Sequence, residues 1–139
     1  MGSAYMKKLG FIGMGNMAQA LAMGFINAKA IAKENVYAYA PHQEKLLKNA
    51  ETIGFTPVAT LKDLARSVDT LVMACKPYQI EAVINELGKA LEDKALISIA
   101  AGWDIAKYRQ FITTNTRLQF IMPNTPAMVF EGAFAICSD

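Results

Sequence analysis

One short run near the amino end constrains this chain more than any other. Gly13-Met14-Gly15-Asn16-Met17-Ala18 reads G-x-G-x-x-A; it directly follows the apolar run Lys8 to Ile12, and from Asn16 onward the apolar period becomes that of a helix. That is a strand, a tight turn and a helix. In this setting the first glycine permits the turn and the second lets a diphosphate approach the backbone. Ala18 is small enough for helix to pack on strand. The N–H groups and the positive dipole end of the helix then receive the diphosphate. Glycines alone mark any strand-to-helix turn, and it is the surrounding unit that makes the pattern one of dinucleotide binding.

The rest of the chain supplies that unit. Val36 to Ala40 predicts a second strand stopped by Pro41, and Leu46, Leu47, Ala50 and Ile53 mark a helix ending at Gly54. On the first helix, Met17, Leu21, Gly24/Phe25 and Ala28 are expected on one face. Thr56 to Ala59 predicts a third strand, and Leu61, Leu64, Ala65 and Val68 a short helix. Thr70 to Cys75 is a continuous apolar run, as a parallel strand covered on both faces requires. Ile80, Val83, Ile84, Leu87 and Leu91 repeat at helical spacing, followed by a strand from Ala95 to Ile99 and a helix carrying Ile105, Tyr108 and Ile112. Leu118 to Met122 and Ala133 to Cys137 are the last strand candidates. Alternating strands and helices predict an α/β, Rossmann-type doubly wound, mostly parallel sheet with helices on both faces. Met1 to Tyr5 reads as a remnant ahead of a natural start at Met6, leaving 6–139 as one NAD(P)-binding domain.

Composition narrows the chemistry. The 139 residues are 53% apolar, enough for one core, and 14 basic against 12 acidic residues leave +2 with no Lys/Arg block, so a nucleic-acid partner is not expected. Cys75 and Cys137 are too few for a disulfide framework and read as small buried hydrophobes. With a single His42 and no carboxylate cluster, no metal is expected, and a hydrolase triad is not visible. The apolar segment after Lys7-Lys8 breaks at the glycines instead of forming a signal core, and no run of ~18 apolar residues spans a membrane. A cytoplasmic protein whose chemistry comes from a bound cofactor is the expectation.

Further candidates stand at strand ends. After the second strand the chain reads Tyr39-Ala40-Pro41-His42-Gln43. An NAD-preferring site would place a carboxylate there for the ribose 2′-hydroxyl. No carboxylate stands there, and beside Pro41 the side chains of His42, Gln43 and Lys45 can donate to a 2′-phosphate, which favours NADPH, with NADH as the alternative; these residues also suit a plain solvated turn. Ala74, Lys76 and Pro77 end the fourth strand beside the crevice where open α/β sheets bind ligands, although an isolated lysine also suits any surface. Ala100 and Gly102 fit either a backbone brought close to a flat ligand or a helix-entry turn.

In order and spacing, Gly10 to Ala18, Ala74-Cys75-Lys76-Pro77, Ile97 to Gly102 and above all Met122-Pro123-Asn124-Thr125-Pro126-Ala127 resemble the pyrroline-5-carboxylate reductase family from about Met6 to Asp139. The resemblance implies reduction of 1-pyrroline-5-carboxylate to L-proline, the closing step of proline synthesis, by hydride from NAD(P)H. It implies that Gly13 to Met17 hold the diphosphate, that Lys76 and Pro77 line the nicotinamide side, and that Asn124, Thr125 and Pro126 border nicotinamide and the imino-acid substrate. Met128-Val129-Phe130 departs from the small residues common after that loop. The family's C-terminal helical domain, which builds a homodimer or higher oligomer and much of the substrate site, has no counterpart here, so this chain alone is expected to be inactive. No catalytic residue is assigned. The alternatives are another NADP-dependent reductase on the same scaffold, ketopantoate-reductase-like or F420-dependent, and a non-catalytic dinucleotide sensor.

Overall fold

Short apolar runs form the centre of the sheet because both of their faces are covered. β1 (Leu9–Ile12), β4 (Thr70–Met73) and β5 (Ala95–Ser98) are buried at every position. The computed structural model describes residues 8–29, 31–99, 103–112, 116–122 and 135–138. The other elements are α1 (Asn16–Asn27), β2 (Val36–Tyr39), α2 (Gln43–Ile53), β3 (Thr56–Pro57), α3 (Leu61–Ser67), α4 (Ile80–Leu87), α5 (Ile105–Arg109), β6 (Arg117–Met122) and β7 (Ala135–Ser138).

Among the described residues the strands form one sheet in the order β3-β2-β1-β4-β5-β6-β7, parallel except for β7, which pairs antiparallel with β6. This is the Rossmann order with one added edge strand, and it places the switch point between β1 and β4. The register aligns the carboxyl ends: Ile12 stands opposite Tyr39 and Met73, and Met73 opposite Ser98.

Alternation along the strands sorts the core into two layers. Leu9, Phe11, Val72 and Ile97 pack with Ala18, Leu21 and Phe25 of α1 and Leu46 of α2. Ile12, Leu71, Met73 and Leu96 pack on the opposite face with Leu64 of α3, Ile80 and Ile84 of α4 and Tyr108 of α5. Gly10 lets α3 sit close, since a Cβ there would meet Leu64 Cδ1 at 2.9 Å and Val68 Cγ2 at 3.0 Å.

Several boundaries and faces differ from expectation. β2, β3, β4 and β5 end at Tyr39, Pro57, Met73 and Ser98, earlier than predicted, because the chain turns out of the ladder to feed the next helix, with Val58 N making a last bond to Ala38 O at 2.9 Å. β6 begins at Arg117, and β7, Ala135–Ser138, ends one residue later than predicted, while positions 133 and 134 lie outside the described residues. On α1 the buried stripe is Ala18, Leu21, Ala22, Gly24 and Phe25, leaving Met17 and Ala28 exposed. Leu47 is likewise exposed, because neighbours on a helix point about 100° apart and Leu46 takes the core. α4 stops at Leu87, and Leu91 is buried from a separate 3-10 turn, Gly88–Leu91. Cys75 is half-buried instead of fully buried; the Cys137 side chain lies outside the described residues. Among the described residues no helix is long and apolar enough to cross a membrane.

Candidate functional site

Because the strand ends are in register, the first residue beyond each of them lines up along one edge of the sheet. Gly13 N donates to Tyr39 O at 2.8 Å, Ala74 N to Ile12 O at 2.9 Å and Ile99 N to Met73 O at 3.3 Å. Ala40, Ala74 and Ile99 are each half-buried on the α1 side. Together with the turn at Gly13 they make a low apolar floor at the switch point.

The two glycines of the turn do different work. Gly13 has φ +95°, and a Cβ there would lie 3.0 Å from the backbone carbonyl of Ala74 and from Cys75 N, so both dihedral and space demand glycine. Gly15 has φ −78°, and its Cβ would meet nothing within 4 Å. Among the described residues nothing requires glycine at 15, and what its hydrogen leaves free there is open space at the start of α1.

Among the described residues that start has no side-chain cap: Gly15 is the N-cap of α1, and the first turn holds no acidic residue. First-turn N–H groups of a helix have no intrahelical partner, so Asn16, Met17 and Ala18 offer donors and a positive dipole end. Met14 is buried and anchors the turn, and Gln19 Nε2 donates to Met14 O at 3.1 Å. An uncapped helix start facing a cradle that a side chain would fill fits a diphosphate.

The remaining predicted residues flank this centre. Pro41 and His42 are exposed after β2, and His42 is the N-cap of α2 without a side-chain cap. Gln43 Nε2 donates to Ala40 O at 2.7 Å, which ties part of its amide to the turn. Lys76 is exposed after β4, and its N–H donates to Gln79 Oε1 at 3.2 Å while Gln79 N donates to Lys76 O at 2.8 Å. Pro77 opens the 3-10 turn Pro77–Gln79 that leads into α4. Burial pushes the Cys75 thiol up to about 11, so it is protonated at neutral pH and no nucleophile. Gly13 to Met17, Pro41, His42, Ala74, Lys76 and Pro77 therefore share one edge, whereas Ala100, Gly102, Asn124, Thr125 and Pro126 lie outside the described residues. Ile99 was missed as a floor residue; the sequence placed it inside the fifth strand, whereas it is the first residue beyond Ser98.

The chain matches the family described as NADP oxidoreductase, coenzyme F420-dependent, over residues 8–102. It is 34% identical over 128 residues to a pyrroline-5-carboxylate reductase of Treponema pallidum (strain Nichols), covering 89% of this chain and 48% of that protein. It is similar to the crystal structure of Plasmodium falciparum pyrroline carboxylate reductase with NADP bound, with a TM-score of 0.82, 37% identity, and coverage of 96% of this chain and 48% of that one. A pyrroline-5-carboxylate reductase structure from Coxiella burnetii superposes with a TM-score of 0.85 at 28% identity, covering 96% of this chain and 50% of that one. The chain spans about half the length of the curated relatives it matches.

Proposed function

Because the chain belongs to the NADP oxidoreductase, coenzyme F420-dependent, family, we propose that it is the dinucleotide-holding half of a pyrroline-5-carboxylate reductase. The observation that carries the dinucleotide reading is the open space at Gly15 against the uncapped start of α1. The substrate reading is supported by the names of the relatives and by Met122 to Ala127, which lie beyond the family match. The reaction is reduction of the C=N bond of 1-pyrroline-5-carboxylate to L-proline.

In this reading Gly13 to Met17 bind the diphosphate through backbone N–H groups, Pro41 and His42 border the adenine ribose, and Ala74, Lys76, Pro77, Ala100 and Gly102 line the nicotinamide side. Asn124, Thr125 and Pro126 border the nicotinamide and the substrate. When bound, NADPH, or NADH as the alternative, supplies the hydride from the nicotinamide C4. The protein orients that carbon over the imine, and the apolar floor of Ala40, Ala74 and Ile99 keeps water from the face it covers. The remaining half of the relatives' length corresponds to a helical part that completes the substrate site and makes the enzyme a homo-oligomer.

The test is calorimetric titration of this chain with NADPH and NADH, repeated on Gly15→Val. Saturable binding, tighter for NADPH and about thirty-fold weaker in the variant, is expected. Absence of binding to a folded sample overturns the dinucleotide reading. Following NADPH absorbance with 1-pyrroline-5-carboxylate and the full-length protein tests the substrate: turnover is expected there and not with these 139 residues alone.

A further inference from the structure

Two hydroxyls meet in the largely apolar layer between the sheet and α3, α4 and α5. Ser98 Oγ and Tyr108 Oη lie 2.7 Å apart, both buried. An alanine and a phenylalanine would fill nearly the same volume there without burying a polar atom, and such paired replacements are close to neutral in stability. Packing therefore accounts for the contact but not for the hydroxyls. What the bond adds is direction, since apolar surfaces can slide past one another and a hydrogen bond of this length cannot.

The direction is imposed at the floor of the crevice. Ser98 is the last residue of β5, and the next, Ile99, turns to the α1 side to form the β5 lip beside Ala74. On the other side of the bond, Tyr108 is locked within α5. Its ring centroid is 4.9 Å from that of Trp103, over which Lys107 Nζ sits at 4.6 Å, and Asp104 Oδ1 accepts from Lys107 N at 2.8 Å. Burial pushes the Tyr108 hydroxyl up to about 12, so it remains a neutral bonding partner throughout the physiological range.

We propose that Ser98 and Tyr108 are positioning residues for the nicotinamide half of the dinucleotide, their bond holding the carboxyl end of β5 and Ile99 at the height where that half lies against the floor. The inference rests on the dinucleotide reading and extends it to residues that reading does not use. In a doubly wound sheet the adenosine lies on the β2 side of the switch point and the second nucleotide on the β4–β5 side. A defect at the end of β5 should therefore weaken one half of the ligand and spare the other.

The experiment titrates the chain and its Tyr108→Phe, Ser98→Ala and double variants with two ligands: NADPH, and adenosine 2′,5′-bisphosphate, which lacks the nicotinamide half. Each single variant is expected to weaken NADPH about five-fold, the worth of one hydrogen bond, and to leave the bisphosphate unchanged. The double variant should lose less than the two single losses combined, because each single variant already removes the shared bond. A merely structural role would weaken both ligands together, and that result, or no weakening at all, overturns the proposal. If Tyr108→Phe fails to fold, Ser98→Ala reads the same bond from its other end. A parent chain that binds neither ligand overturns the dinucleotide reading and this proposal with it; a parent that binds both, with variants that do not split them, overturns this proposal alone.

Discussion

Helices α1 and α2, on one face of the sheet, begin on backbone N–H groups that no side chain caps. On the other face, Thr60 Oγ1 accepts from Asp63 N at 3.0 Å to cap α3, and Asp104 Oδ1 caps α5. Like α1 and α2, α4 has no side-chain cap, but it is entered through the 3-10 turn Pro77–Gln79, where Pro77 has no N–H to satisfy and Gln79 Oε1 takes that of Lys76. Each of α1 to α4 follows a strand and starts at the same edge, so placement is not what distinguishes them. The difference lies in the caps: side chains of Thr60 and Asp104 close the starts of α3 and α5, whereas among the described residues α1 and α2 begin without a side-chain cap.

Four measurements break or sharpen this contrast. The largest effect is expected at Gly13, the residue of the turn that the protein itself demands. Gly13→Val should destabilise the chain by about 3 kcal/mol or more, read as a lower urea midpoint, because it combines a positive φ with a backbone collision. Next comes alkaline titration of the face that carries α3 and α5. The Tyr108 pKa is raised from 10.0 to about 12 by burial, so the protonated form is favoured in the folded chain. Its contribution is complete below pH 10.0 and is lost as pH rises through about 12, a loss of about 2–3 kcal/mol that Tyr108→Phe should lack.

A smaller effect, and the sharpest test of the contrast, is Gly15→Asp. It gives α1 the kind of cap that α3 and α5 have, and should raise stability by about 0.5 kcal/mol while costing about 2 kcal/mol of NADPH affinity. Lower stability with binding retained would erase the distinction between the faces. The smallest effect is Thr60→Ala, expected to cost about 1 kcal/mol of stability and to leave NADPH affinity within about two-fold of the parent.

The parallel α/β class was legible because β1, β4 and β5 do not alternate apolar with polar residues, a hydroxyl standing only at Thr70 and Ser98, and because α1 to α4 alternate with strands; their ends were not. Where a strand stops depends on where the following chain turns away, as at Ala40, Ala74 and Ile99, and local composition does not encode that. Met17 and Leu47 were placed with the core because helical spacing identifies a face only to within one neighbour. At the site, the letters of the glycine turn were readable, but the division of labour between Gly13 and Gly15 needed the distance to Ala74 and the open space at 15. The Ser98–Tyr108 pair was hidden because each residue looks ordinary alone: one a serine closing an apolar strand, the other an aromatic at helical spacing. Only the fold brings them together.

β1 is hydrogen-bonded on one side to β2, which follows it closely, and on the other to β4, which lies far along the chain. During synthesis the β1–α1–β2 unit can form early, with Gly13 N donating to Tyr39 O, but the other side of the turn stays open until Ala74 and Cys75 have emerged and docked. The crevice is thus a late product of folding, gated by a long loop closure. A dinucleotide would engage only chains that have passed that step and would hold them there by mass action, so cofactor supply should act on the yield of folded protein as well as on its activity.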